Sequence, residues 1–300
     1  MQASVDPSNI LKSIMRLMCL FSLFVFTEDM IGLFIATSAA VDIVYDVLHI
    51  LQVIVVLVFI FRHKLDLKKL VTGGERFSVL SFIAAMLIGY LTAFLGSQLD
   101  SLMPGVTVAE TSFSLHHILF FMIFAGFVAP VFEEIEFRGL LFRSLKGRIP
   151  VVPAMILSSL MFMVLHTGGI QISTFIMAIF SSIVFLWTKN LLYSMAIHFA
   201  GNSIPVIMLG LSLFLQDSGA DETAVMDAGT SWSSEAVVMI LFPLALLVLP
   251  FFFLYWKTHR NGSSYDQQII YKEKDRSVLV YFIIYFTVCI GSTVIQFLYG

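Results

Sequence analysis

Apolar segments of about twenty residues recur along the whole chain, and they restrict its fold more than any other feature. A membrane-spanning helix needs about 20 predominantly apolar residues. Because a backbone N–H in a bilayer needs a protein partner, such spans are helices rather than open strands. Of the 300 residues, 59% are hydrophobic and only 12% are charged, whereas a soluble domain has about 25% charged residues. The mean hydropathy is +0.95. The chain is therefore predicted to be all-α, a polytopic transmembrane bundle rather than a soluble domain.

We predict about eight to nine membrane helices. The first apolar stretch resembles a signal peptide, but Glu28 and Asp29 interrupt it, so we expect a retained helix. Three regions follow from this division: N-terminal helices and loops at 1–113, a core at 114–214 that contains helices four to seven, and C-terminal helices at 215–300. The predicted helices cover about 14–38, 42–61, 77–99, 114 to a basic turn at 143–148, 151–167, 170–187, 191–214, 236–256 and 277–298.

The charged loops predict the orientation. With nine spans, all 17 Lys and Arg residues fall on one side of the membrane, and five acidic residues lie in the opposite loop at 216–235. The positive-inside rule then places the N-terminus in the cytoplasm. We expect a multi-pass protein of the cell membrane, surrounded by lipid, with no nucleic-acid partner.

The hairpin at 129–169 carries ionisable side chains within two apolar arms. Glu133 lies 17 residues before Pro150, and His166 lies 16 residues after it. At about 1.5 Å per residue, both side chains lie some 25 Å along their helices. Ionisable groups at membrane depth are costly and usually functional. The alternative is that the acidic residues only solvate the helix end at the membrane interface.

The spacing within the first arm separates two roles. Glu134 and Arg138 are four residues apart, the spacing of an ion pair on one helix face. Glu133 points about 100° away from that pair and is free to face another helix, where it could serve as a general base. Phe162 lies one turn before His166 and is expected to pack against its ring.

His198 and Asn202 also share a helix face, and both are expected inside the bilayer. An imidazole and a carboxamide can direct two donors at one point, as stabilisation of an oxyanion requires. The alternative is a hydrogen bond that joins helices, which membrane proteins use commonly.

The sequence gives weaker support for a cysteine site, an aspartyl protease, a zinc motif or a transporter. The two cysteines, Cys19 and Cys289, fall within apolar segments and are predicted to be core residues rather than a disulfide or thiolate site. Asp42 and Asp46 share one helix and therefore do not match two facing aspartates of an aspartyl protease. No HExxH zinc motif is present. A transporter would be expected to have duplicated half-sites, and none is recognisable.

These residues resemble the motifs of the CAAX protease and bacteriocin-processing enzyme (CPBP, or Abi) family. Residues 133–139, EEIEFRG, are similar to its EExxxR motif; Phe162 to His166 resembles FxxxH, and His198 to Asn202 resembles HxxxN. The resemblance covers about 114–214, and Glu136 is an additional acid within it. It implies an intramembrane endopeptidase in which Glu133 and His166 activate water and His198 and Asn202 hold the oxyanion. Glu134, Arg138 and Phe162 would support them.

The resemblance leaves the cofactor and the partner open. The family is commonly labelled a metalloprotease; if zinc is present, its ligands would be Glu133, His166 and His198, although no close ligand spacing supports a metal. The expected substrate is a membrane peptide or protein. Short loops indicate a bacterial member, for which prenylated substrates are not expected. The alternative is a non-catalytic regulator or bacteriocin self-immunity protein that binds a membrane signalling partner such as a sensor kinase.

Overall fold

The computed structural model describes residues 10–34, 39–73, 77–100, 119–120, 122–166, 171–203, 234–260 and 276–299. Within these ranges the chain is helical and has no strand, which confirms the predicted all-α class. The helices are α1 (Leu11–Phe34), α2 (Ala39–Arg62), α3 (Leu67–Thr72), α4 (Val79–Asp100), α5 (122–146), α6 (Val151–Leu165), α7 (Ile172–Thr188), α8 (191–203), α9 (Ser234–Arg260) and α10 (Arg276–Tyr299).

Three of these helices are long and apolar enough to cross a membrane. They are Val41–Arg62 in α2, Val79–Asp100 in α4 and Val278–Ile295 in α10. Shorter apolar helices lie in α6, α7 and α9. Many large apolar side chains on α2, α4, α9 and α10 are exposed, as expected where lipid rather than water surrounds a helix. The chain is a helical membrane protein.

The helix boundaries differ from the sequence prediction near α3 and at the end of α6. The basic loop after α2 contains the short helix α3, because Asp66 caps it by accepting a hydrogen bond from Lys69 N at 3.0 Å. Helix α6 ends at Leu165, two residues earlier than predicted, because His166 adopts an extended backbone. The predicted part of α8 beyond residue 203, and the Gly168-Gly169 stop, lie outside the described residues.

Helix α5 alternates between two helical geometries. Its consecutive segments are π-helix at Phe124–Val128, α-helix at Ala129–Glu134, π-helix at Ile135–Phe142 and α-helix at Arg143–Lys146. A π-helix has i→i+5 hydrogen bonds, and no motif in the sequence predicted one. Such segments are rare and occur frequently at functional sites.

The packing places α5 among α3, α6, α7 and α1. Helix α4 packs against α7 and α9, and α1 packs against α10. Every residue of the second π-segment is buried, including Arg138 at 1% exposure and Glu136 at 4%. A closely packed apolar core thus surrounds charged side chains. That burial makes the pairing of those charges decisive for stability.

Asp100, the last residue of α4, caps the N-terminus of α7. Its carboxylate accepts hydrogen bonds from Ile172 N at 2.6 Å and Ser173 N at 3.3 Å, and also from the Ser173 hydroxyl. These bonds satisfy backbone N–H groups that a helix start leaves unpaired. They join residues that are 72 positions apart in the chain.

We expect Asp100→Ala to lower the free energy of unfolding by about 0.5–2 kcal/mol, the cost of losing a helix cap. Asp100→Asn, which keeps an accepting oxygen, should lose less. Denaturant unfolding of the purified protein in detergent measures both variants. Equal stability of the alanine variant and the wild type would contradict the capping role.

Candidate active site

The buried ion pair between Glu134 and Arg138 forms the base of the site. Arg138 Nη1 lies 3.0 Å from Glu134 Oε1, and the two side chains are 1% and 0% exposed. The predicted ion pair is therefore present. Arg138 is a permanent cation and pairs with the carboxylate of Glu134. An ionised carboxylate can only accept hydrogen bonds.

His198 connects this ion pair to Glu133. Its Nδ1 lies 3.2 Å from Glu134 Oε1. Since the paired carboxylate is an acceptor, Nδ1 must carry the proton. Nε2 of the same ring lies 3.5 Å from Glu133 Oε2, and the ring is completely buried. Glu134 thus sets the orientation of the ring and turns Nε2 toward Glu133.

His166 approaches Glu133 from α6. It is the residue that terminates this helix, and its Nδ1 donates to the Phe162 carbonyl at 2.8 Å. That bond leaves Nε2 as the ring atom that faces Glu133 Oε2, at 3.8 Å. The side chains of His166 and Glu133 are 30% and 27% exposed, so this edge of the site is accessible.

Phe162 is the aromatic centre of the site. Its ring contacts the rings of His166, at 4.6 Å between centroids, and His198, at 5.4 Å. The Arg138 guanidinium lies over the same ring at 4.6 Å, a cation–π contact. The side chain is fully buried. A single aromatic ring therefore holds both imidazoles and the cation at fixed positions, including the predicted contact with His166.

Asn202 makes a hydrogen bond to another helix, the alternative that the sequence left open. Its Nδ2 donates to the carbonyl of Ala125 at 2.9 Å, within the first π-segment of α5. In the second π-segment the Phe137 carbonyl accepts from Ser158 Oγ at 3.2 Å. Both π-segments thus accept side-chain hydrogen bonds from neighbouring helices.

Several polar atoms at the centre of the site have no hydrogen-bond partner among the described residues. They include Glu133 Oε2, Glu134 Oε2, His198 Nε2, and Nε and Nη2 of Arg138. Buried polar atoms in folded proteins are nearly always paired, with protein or with ordered water. The unpaired polar atoms around Glu133 therefore form a polar centre inside an apolar bundle. A water molecule bound there would supply their missing hydrogen bonds.

The predicted zinc ligands gain no support from this geometry. Glu133, His166 and His198 are of the residue types that bind zinc, and both ring nitrogens approach one carboxylate oxygen. Among the described residues, however, no group of three or more His, Cys, Asp or Glu side chains could hold a metal ion.

Gly89 of α4 allows α8 to approach closely beside His198. A Cβ at this position would overlap the carbonyl oxygen of Ile197 and lie 2.8 Å from the Ala200 Cβ. Both partners flank His198, one residue before it and two after it. The absence of a side chain at residue 89 therefore sets the position of the buried imidazole.

We expect Gly89→Ala to move α8 outward and to cost about 1–3 kcal/mol of unfolding free energy. Gly291→Ala is the matched control, because a Cβ there has no neighbour within 4 Å. Denaturant unfolding in detergent compares the two variants. Wild-type behaviour of Gly89→Ala would contradict the close approach of α4 and α8.

Comparison with known families matches the segment that carries this site. Residues 115–204 match the family model of type II CAAX prenyl endopeptidase Rce1-like proteins. The chain has no match among curated proteins or solved structures. The matched segment includes all three motifs and every side chain of the site described above. The match supports a CAAX-type intramembrane protease in general. Residues 115–204 therefore form an Rce1-like segment, and the chain's resemblance to the CPBP family is confirmed.

Proposed function

We propose that this protein is an intramembrane endopeptidase that hydrolyses peptide bonds of membrane-associated peptides or proteins. One observation carries the proposal: Glu133 Oε2 lies 3.5 Å from Nε2 of His198 and 3.8 Å from Nε2 of His166. Three helices thus deliver a carboxylate and two imidazoles to one position. The partial exposure of Glu133 and His166 gives water and substrate a way in.

The nucleophile is a water molecule between Glu133 and His166. Their separation of 3.8 Å is too long for a direct hydrogen bond but suits one water that donates a hydrogen bond to each. Since Nδ1 of His166 donates to the Phe162 carbonyl, its Nε2 is an acceptor in the neutral ring. Both groups therefore polarise the water, and Glu133 takes its proton as the oxygen attacks the scissile carbonyl.

The attack places a negative charge on the carbonyl oxygen. Asn202 uses one N–H for the Ala125 carbonyl and has a second N–H on the same nitrogen for this oxyanion. His198, when protonated at Nε2, supplies another donor. When the tetrahedral intermediate collapses, the C–N bond breaks and Glu133 returns its proton to the leaving amine. Water is consumed, and no acyl-enzyme forms.

Glu134, Arg138 and Phe162 act by positioning. Glu134 holds His198 by its Nδ1, Arg138 neutralises Glu134, and Phe162 packs against both imidazoles. In a site with little water, such preorganisation contributes most when charge develops in the transition state. None of the three needs to contact the substrate.

The matched family and the surroundings of the site support a proposal for the substrate class. The description names a prenyl endopeptidase, and apolar helices surround the motifs. We propose a peptide that reaches the site from the membrane, with the bond that is cleaved near its lipid-associated end. A prenylated and an unmodified peptide of the same sequence test whether the lipid is recognised.

The decisive experiment is peptide cleavage by the purified protein in vesicles, with products identified by mass spectrometry. We expect cleavage by the wild type and a rate about 10²–10⁴-fold lower for His166→Ala, with wild-type folding of the variant confirmed by circular dichroism. The metal content of the active protein is measured in the same sample. Cleavage at the same rate by His166→Ala would contradict the proposed site.

A further inference from the structure

The segment that joins α2 to α4 forms a basic surface at one end of a membrane-spanning helix. Residues 62–72 contain Arg62, Lys64, Lys68 and Lys69, all exposed, and one acid, Asp66. Asp66 is already engaged, because its carboxylate accepts from Lys69 N at 3.0 Å. The exposed charge of this surface, called the α3 basic segment below, is therefore strongly positive.

A helix stop separates this segment from α2. Lys64 has a left-handed backbone with φ of 52°, Lys64 N bonds Phe61 O at 3.1 Å, and Leu65 N bonds Ile60 O at 3.0 Å. A left-handed residue with such bonds is a common way to end a helix and reverse the chain. Helix α3 therefore does not continue α2. It starts a new direction at the point where the apolar span ends.

Helix α3 is amphipathic in spite of its shortness. Leu70 is 3% exposed and packs inward, whereas Lys68 and Lys69 are exposed. Leu67 is 43% exposed, and Phe61, in the last turn of α2, is 76% exposed. Basic side chains beside exposed apolar ones at the end of a span are suited to the headgroup layer of a bilayer.

The inner side of α3 touches the helix that carries the candidate active site. The Leu70 Cδ1 lies 3.5 Å from the position that a Cβ would take on Gly139, the residue after Arg138. Arg143 of α5 donates to the Leu70 carbonyl at 3.5 Å. The contacts of Leu70 that hold α3 in place therefore also support the second π-segment of α5.

We propose that the α3 basic segment binds the phosphate headgroups of anionic phospholipids and that this binding stabilises α3 against α5 and increases peptidase activity. The activity part rests on the proposed function, whereas lipid binding does not. The charge of the segment, its place at the end of the Val41–Arg62 span and its apolar neighbours all fit a lipid of the bilayer. Each basic residue near such a surface is worth about fivefold in affinity.

The binding experiment uses the full chain in detergent, with native mass spectrometry to count bound lipid. Phosphatidylglycerol is compared with phosphatidylcholine, for the wild type, a Lys68→Gln/Lys69→Gln variant and a charge-preserving Lys68→Arg/Lys69→Arg variant. We expect the wild type to prefer phosphatidylglycerol, the Gln variant to lose about twentyfold in affinity, and the Arg variant to retain it. Binding of phosphatidylglycerol by the Gln variant as tight as by the wild type would overturn the proposal. So would free glycerophosphate that displaces the bound lipid as well as phosphatidylglycerol does at the same phosphate concentration.

The activity experiment repeats these comparisons in vesicles with and without phosphatidylglycerol. The wild type and the Arg variant should be activated by the anionic lipid, and the Gln variant should not. If all three respond equally, the α3 basic segment is not the lipid sensor. If the wild type cleaves nothing in any vesicle, the proposed function fails, and the lipid-binding measurement still decides this inference.

Discussion

Glu133→Gln should lower the rate of peptide cleavage by about a thousandfold or more while the protein stays folded. The substitution keeps the size of the side chain but removes the group that takes a proton from the attacking water in the proposed mechanism. General bases contribute about 10²–10⁴-fold to catalysis. Because Oε2 lies 3.5 and 3.8 Å from two imidazoles, an amide at this position would also alter their hydrogen bonds.

The matched control is Glu136→Gln, the same substitution three residues later in the same helix. Glu136 is buried, at 4% exposure, and no ion pair joins it to either imidazole among the described residues. We expect it to retain most of the activity. Initial rates under saturating peptide measure both variants. A Glu133→Gln enzyme with near wild-type turnover would contradict a general-base role for this carboxylate.

Arg138→Met should cause the largest loss of stability, about 3–5 kcal/mol, because it leaves the Glu134 charge buried without its partner. Arg138 and Glu134 are 1% and 0% exposed and 3.0 Å apart. The substitution also removes the guanidinium that lies over the Phe162 ring. Since both imidazoles contact that ring, activity should fall together with stability.

A double variant separates charge burial from lost packing. In Arg138→Met/Glu134→Gln no charge stays unpaired, and the new amide oxygen can still accept a hydrogen bond from Nδ1 of His198. Replacing a buried ion pair on both sides costs far less than removing one partner. We therefore expect the double variant to recover much of the unfolding free energy. Denaturant unfolding in detergent compares the two, and equal losses would show that the charge of Glu134 is not what makes Arg138 necessary.

The fold class and the grouping of the ionisable side chains could be predicted from the sequence because both depend on local patterns. Apolar length gives membrane helices, and the prediction of an all-α bundle is confirmed. The four-residue spacing gave the Glu134–Arg138 pair directly. The depth count along two helices placed Glu133 and His166 level, and they lie 3.8 Å apart. The catalytic roles assigned to these residues stay predictions.

What the sequence did not predict depends on contacts between distant segments. The π-segments of α5 accept hydrogen bonds from Asn202 and Ser158, which are on other helices. Asn202 was expected to direct its amide at an oxyanion, and one of its N–H groups is instead bound to the Ala125 carbonyl. His198 was assigned to the oxyanion, with a hydrogen bond between helices as the alternative, and its Nδ1 bonds Glu134. Such pairings require the position of α8 relative to α5, which no short motif encodes.

Helix α3 was overlooked for a different reason. Its six residues are too few for a helical period to be recognised, and their charges suggested only a basic loop. The Asp66 cap and the contact of Leu70 with α5 stabilise it. A cap followed by one buried leucine is a weak signal in a sequence, although it is sufficient when a surface is available to receive the leucine.

The shared action of Glu133 and His166 on one water is tested most directly by a double-mutant cycle on the rate of peptide cleavage. Groups that act as one unit give strongly non-additive losses. We therefore predict that Glu133→Gln/His166→Ala is no slower than Glu133→Gln alone, within about threefold. Losses that multiply in the double variant would show that the two side chains act independently, which would contradict the proposed catalytic centre.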